Sequence, residues 1–173
     1  MPTEPRYIFN VTSSIHQFKQ AVGVACKELY AETLVSLALY GSWARGTATQ
    51  ESDIDLLIIA TNLPPSRGKR MRQFEVVDAV TLDSRKAVWG PTTPAPEISP
   101  LIKTPAEVEA GSPLFLDMTD WREILFDREH YFQRYLAALK ERMQMNGTER
   151  RMAKGGYYWV YKPNLQPREV VTL

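Results

Sequence analysis

The chain has 173 residues, 44% of them hydrophobic and 24% charged, enough for one globular domain with a buried core or for a core carrying a helical extension. Lys+Arg 21 against Asp+Glu 20 gives a formal charge of +1, which excludes long-range attraction to nucleic acid as an argument and leaves only a local basic face. A single cysteine, Cys26, excludes an internal disulfide. No apolar run approaches the roughly 20 residues of a membrane span, and residues 1–6 lack a signal-peptide pattern, so the cytoplasm is the expected address.

In chain order, Ile15, Phe18, Val22, Cys26 and Leu29 recur at helical spacing and predict a helix starting near Ser13 or Ser14, with Cys26 as a buried thiol on its apolar stripe. Residues 34–40 are a nearly continuous apolar run closed by Gly41 and read as a central strand. Residues 41–52 are rich in Gly, Ser and Thr and read as a loop with a helical turn around Trp43 to Arg45, before a second strand over 53–60. A second amphipathic helix is expected over 66–87, opening on the basic group Arg67, Lys69, Arg70 and Arg72 and ended by the proline-rich stretch Pro91 to Pro96. Residues 97–103 read as a third strand, placed at an edge by Pro100. A short helix over 105–109, a segment over 114–118 and a strand over 122–127 follow. The stripe of Tyr131, Phe132, Tyr135, Leu136, Leu139 and Met143 then predicts a helix over 128–145 on the sheet edge, stopped by Asn146 and Gly147, and the tail from Arg150 is basic and aromatic. The expected organisation is a core over 1–127 with a C-terminal helix and tail over 128–173 packed on it.

The chemistry concentrates between Tyr40 and Ile59. On a strand, residues i and i+2 share a face roughly 6.6 to 7 Å apart, so Asp53 and Asp55 project together while Ile54 turns to the core. Such a pair of hard carboxylates suits Mg²⁺, with Mn²⁺ as the alternative, and Mg²⁺ fills its other positions with water and substrate phosphate. Upstream, with ten residues between Ser42 and Asp53, Gly41 lets the backbone approach a phosphate closely. The N–H groups of Ser42 and Trp43 and the Ser42 hydroxyl are candidate donors to it, and Arg45 is a candidate counter-charge. A buried strand rarely carries two carboxylates on one face unless they are paired or bind metal, which favours a site over a solvated turn. His16 and His130 lack ligand-spaced partners, and the aromatics Tyr157, Tyr158 and Trp159 read as packing first and as a base platform second.

The hydrophobic-Gly-Ser element followed by Asp53, Ile54, Asp55 and Leu56 resembles the signature of the DNA polymerase beta-like nucleotidyltransferase superfamily, with the spacing of its minimal bacterial and archaeal members. The resemblance is sharp over about twenty residues. It implies an α/β (α+β) fold covering roughly residues 12–105, with a small mixed sheet, helices mainly on one face and a C-terminal helical extension. It implies transfer of a nucleoside monophosphate from an NTP, ATP first among them, to a hydroxyl, with pyrophosphate as leaving group. Catalytic and metal-binding roles fall to Asp53 and Asp55, and nucleotide binding to Gly41, Ser42, Trp43 and Arg45. The family's third acid, from a neighbouring strand, maps to Glu97, with Asp78 and Asp83 as weaker choices. The acceptor implied is a small molecule, an RNA end or a protein tyrosine, the last on a helical toxin-type partner, with no membrane involved. A nucleotide-binding or antitoxin-like module acting by contact on the same fold is the alternative.

Overall fold

The computed structural model describes residues 5–90 and 92–166, with side chains from residue 13 onward. The signal-peptide reading of residues 1–6 lies partly outside this range, as do Pro91 of the expected helix stop and the end of the tail. The element order is α1 (Pro5–Tyr30), β1 (Leu34–Leu39), α2 (Gly41–Arg45), β2 (Ile54–Ala60), α3 (Arg67–Val80), α4 (Leu82–Trp89), β3 (Ile98–Lys103), α5 (Pro105–Glu109), α6 (Leu114–Met118), β4 (Glu123–Asp127), α7 (Tyr131–Asn146), β5 (Glu149–Ala153) and β6 (Gly156–Val160).

Four strands form one mixed sheet in the order β3-β2-β1-β4. β1 runs antiparallel to both β2 and β4, and β3 runs parallel to β2, reached by a crossover through α3 and α4. β3 is an edge strand, as Pro100 requires of a residue with no N–H to give to a ladder.

β2 shows why the sheet has two cores. Ile54, Leu56, Ile58 and Ala60 face one layer, with Phe18, Val22 and Cys26 of α1 and Phe74 and Val77 of α3. Leu57 and Ile59 face the other, with Phe115 and Leu116 of α6 and Phe132, Leu136 and Leu139 of α7. Burying each such side chain contributes about 1.5–3 kcal/mol, so a strand covered on both faces must be apolar throughout. α1 and α3 cover the first face, and α4 packs on α1. α7 covers the second, beside α6, rather than the sheet edge, because its apolar stripe meets the row of Ala38, Leu57 and Ile59 that the first layer leaves uncovered.

Three local readings change. α1 begins at Pro5, with proline in the first helical turn, instead of at Ser13 or Ser14. The expected 66–87 helix is two helices broken at Thr81, whose hydroxyl donates back to the Val77 carbonyl at 2.7 Å and whose own carbonyl accepts from Ser84. Arg70 leaves the solvated basic group: it is buried, donating to the Pro64 and Ile102 carbonyls and, in bidentate fashion, to Glu107. Glu107 also closes the capping box of α5 with Thr104.

Candidate active site

β1 ends with Leu39 opposite Leu56, and the chain then lays Tyr40 beside Asp55, with the Tyr40 N–H donating to the Asp55 carbonyl at 3.1 Å. Gly41 turns away with φ +67° and opens the single-turn helix α2. Glycine is required here twice. The dihedral is left-handed, and a Cβ on Gly41 would stand 1.9 Å from Asp55 Oδ2. The backbone of the turn therefore lies directly against the Asp55 carboxylate. Gly46 ends α2 at φ +72°, its N–H directed at the Ser42 and Trp43 carbonyls, while Thr47 donates to the Ser42 carbonyl at 3.0 Å. The N–H groups that open the turn have no partner within it.

Asp53 and Asp55 continue the row of Leu57 and Ile59 toward the start of β2, where the α6–α7 layer no longer covers the sheet: Asp55 is half-buried and Asp53 exposed. The Asp55 carboxyl is pushed above its usual range by burial and then by the negative charge of Asp53, with Arg45 acting in the opposite direction. Two oxygen donors deficient in positive charge, one pressed against a glycine turn, suit a hard divalent cation shared with a polyanion.

Residues 23–99 match the model of the nucleotidyltransferase domain. A curated relative from Methanocaldococcus jannaschii, "Putative protein adenylyltransferase MJ1305", is 33% identical over 119 residues, spanning 66% of this chain and 74% of the relative. The chain belongs to the nucleotidyltransferase family. Solved structures similar to this nucleotidyltransferase include a toxin–antitoxin crystal structure with AMP-PNP, at 13% identity and TM-score 0.47 over 75% of this chain and 92% of that one. Another is a tri-AMPylated Shewanella oneidensis HEPN toxin in complex with MNT antitoxin, at 13% identity and TM-score 0.44 over 73% and 90%.

In this nucleotidyltransferase the four residues expected around the nucleotide divide. Gly41 and Ser42 stand at the turn, and Arg45, exposed at the end of α2, lies within electrostatic range of Asp55. The Trp43 side chain turns the other way, into the α1 layer, with its ring 5.5 Å from that of Trp89 on α4, so it anchors the turn and only its backbone faces the site.

Glu97 is not gathered with the aspartates: among the described residues no three His, Cys, Asp or Glu side chains come together as a metal-holding group. Glu97 stands one residue before the Ile54–Ile98 register pair, held by its backbone, its carbonyl accepting from the Ile54 N–H at 2.8 Å. The carbonyl before it, of Pro96, accepts from Arg85 at 2.9 Å. Its side chain is exposed, and two negative charges give it no reason to lean toward the pair. The weaker choices serve elsewhere, Asp78 pairing with Arg85 at 2.8 Å and Asp83 with Lys86 at 3.3 Å. Tyr157 of β6, read from the sequence as packing first and as a base platform second, shares the neighbourhood of Arg45. Beside its ring, its sequence signal is its place next to Gly155 and Gly156, a hairpin turn that brings the tail back toward the sheet.

Proposed function

We propose that this nucleotidyltransferase transfers AMP from ATP to a side-chain hydroxyl of a protein and releases pyrophosphate. The observation that carries the reading is the contact between the Gly41 backbone and the Asp55 carboxylate, which puts a phosphate-binding turn and an acidic pair on one spot. The name borne by the Methanocaldococcus jannaschii relative supports a protein acceptor. Of the basic group at the start of α3, Arg70 is engaged by Glu107, so only Arg67, Lys69 and Arg72 remain to meet an RNA end.

Backbone N–H groups and the hydroxyl of Ser42 would hold the β- and γ-phosphates, with Arg45 offsetting their charge. Asp53 and Asp55 would hold a divalent cation, Mg²⁺ or Mn²⁺, which when bound neutralises the triphosphate and lowers the pKa of the acceptor hydroxyl. The acceptor oxygen bonds to the α-phosphorus, the bond from that phosphorus to the bridging oxygen breaks, pyrophosphate departs with the oxygen, and the acceptor proton passes to water beside the exposed Asp53. No protein nucleophile takes part; positioning and charge neutralisation supply the rate.

The separation of Glu97 from the aspartates favours a second reading, a nucleotide-binding module that acts on its partner by contact. Labelled ATP with Mg²⁺ or Mn²⁺, the purified protein and a lysate separate the two, with Asp53→Ala and Asp55→Ala beside the wild type. Label on a protein band that disappears in both variants supports transfer. ATP bound without label transferred supports the module. Equal labelling by all three proteins refutes the site.

A further inference from the structure

The β5–β6 hairpin is covered unevenly. Its register pairs Arg150 with Trp159 and Met152 with Tyr157, so these four side chains share one face. At the base that face is locked. The Arg150 guanidinium lies 4.1 Å from the Trp121 ring centre and 4.9 Å from those of Tyr157 and Trp159, and it donates to Asp120 at 3.1 Å. The Trp159 indole N–H donates to Asp117 at 2.8 Å. Toward the tip the same face is open: Met152 is 79% exposed although it points to the side on which Trp159 is packed.

The open half stands on the carboxylate side of the sheet. Trp159 packs on the cluster containing Leu57 and Ile59, the row that ends in Asp55 and Asp53. Tyr157, half-buried, has Arg45 of α2 in electrostatic range. Arg45 is about one helical turn beyond Gly41. The phosphate turn and the hairpin thus stand within electrostatic reach of each other.

We propose that the Met152–Tyr157 face of the hairpin is the wall on which the nucleobase of the bound NTP stacks. This rests on the nucleotide site assigned above and adds the group that holds the other end of the nucleotide. The chemistry of the wall fits a base better than an acceptor segment. It offers a ring and a polarisable thioether, both suited to a π-face, with Met152 open to receive one. A peptide backbone laid against it would find no donors or acceptors for its own polar groups. Stacking is tolerant of base identity, so the wall binds adenine and guanine alike and discriminates only weakly between them.

Isothermal titration with ATP, GTP and tripolyphosphate, which has no base, tests the wall separately from the phosphate site. Met152→Ala with Tyr157→Ala is expected to weaken ATP and GTP by about tenfold or more while leaving tripolyphosphate unchanged. Tyr157→Phe, which keeps the ring, is expected to bind ATP as the wild type does. Asp55→Ala serves as the opposite control, weakening ATP and tripolyphosphate together. If Tyr157→Ala perturbs the hairpin, the exposed Met152→Ala alone carries the test, with a severalfold loss confined to the base-bearing ligands. Unchanged ATP affinity with reduced label transfer would overturn the proposal and give the wall to the acceptor. Equal loss of ATP and tripolyphosphate would overturn it in favour of a structural role. A wild type that binds neither ligand would overturn the nucleotide site itself and the wall with it.

Discussion

Gly41→Ala separates backbone strain from the contact that defines the site. Two costs are imposed at once: a left-handed dihedral on a residue with a Cβ, about 1–2 kcal/mol, and a methyl group at 1.9 Å from Asp55 Oδ2, a separation at which the carboxylate must move. Gly46 provides the matched control. It has nearly the same dihedral, φ +72°, and a Cβ there would meet no atom within 4 Å, so Gly46→Ala carries the first cost without the second. For a chain of this length 1 kcal/mol shifts the melting temperature by about 2–4 °C, so Gly46→Ala should melt about 2–8 °C below the wild type and Gly41→Ala at least as far below it. Only Gly41→Ala should displace the carboxylate, and a displacement on the order of 1 Å costs about a hundredfold in rate. The assay is label transfer from ATP at saturating nucleotide, with thermal melting run in parallel. Equal activity of the two variants, or a Gly41→Ala enzyme within a few-fold of the wild type, would show that the turn and Asp55 do not act together.

Asp53→Ala and Asp55→Ala should each abolish label transfer with the fold retained by circular dichroism, and chelation by EDTA should do the same to the wild type, reversed by added Mg²⁺. Asp55→Asn should melt higher than the wild type in metal-free buffer, because burial and the charge of Asp53 both oppose ionised Asp55; a lower melting temperature would contradict that origin of its raised pKa. Glu107 is held down at about 2, chiefly by its hydrogen bond from Arg70, so its ionised form is favoured in the folded chain. Its stabilisation is therefore full above the ordinary value of 4.5 and is lost as pH falls toward 2. With the side chain 39% exposed, solvent screening limits this to about 1 kcal/mol, seen as a melting difference between wild type and Glu107→Gln at pH 7 that closes by pH 2. Arg70→Met should cost more, about 2–3 kcal/mol by denaturant titration, since it strands the Pro64 and Ile102 carbonyls as well as Glu107.

The sheet is legible in the sequence because β1 and β2 are buried on both faces and so announce themselves as unbroken apolar runs, and because Pro100 permits β3 only an edge. Asp53 and Asp55 stand out against that background, and Gly41 marks itself as a turn. That the turn presses on Asp55 depends on the β1–β2 register, which a local pattern does not contain. The break at Thr81 is hidden because the apolar spacing runs on through it, while the cause is a hydroxyl competing for a backbone carbonyl. Arg70 is misplaced by local pattern for a related reason: its partner Glu107 is 37 residues away, beyond β3. Glu97 can be placed near the start of β3 from sequence, but where an exposed carboxylate points is set by charges around it rather than by strand position.

The site follows from an incomplete layer. β2 carries one row of side chains fully under α1 and α3 and another only partly under α6 and α7, and the acidic pair occupies the part of the second row that the helices leave open. Were that layer complete, two ionised carboxylates there would be too costly to keep without permanent partners. Were it absent, they would be ordinary surface charges, hydrated and weakly coupled. The intermediate position keeps Asp55 half-desolvated and short of positive charge, which is what the proposed cation and polyphosphate would relieve. The locked base of the hairpin then fixes where the far end of a nucleotide can go, since Arg150 and Trp159 hold β5 and β6 while Met152 stays open toward the same side.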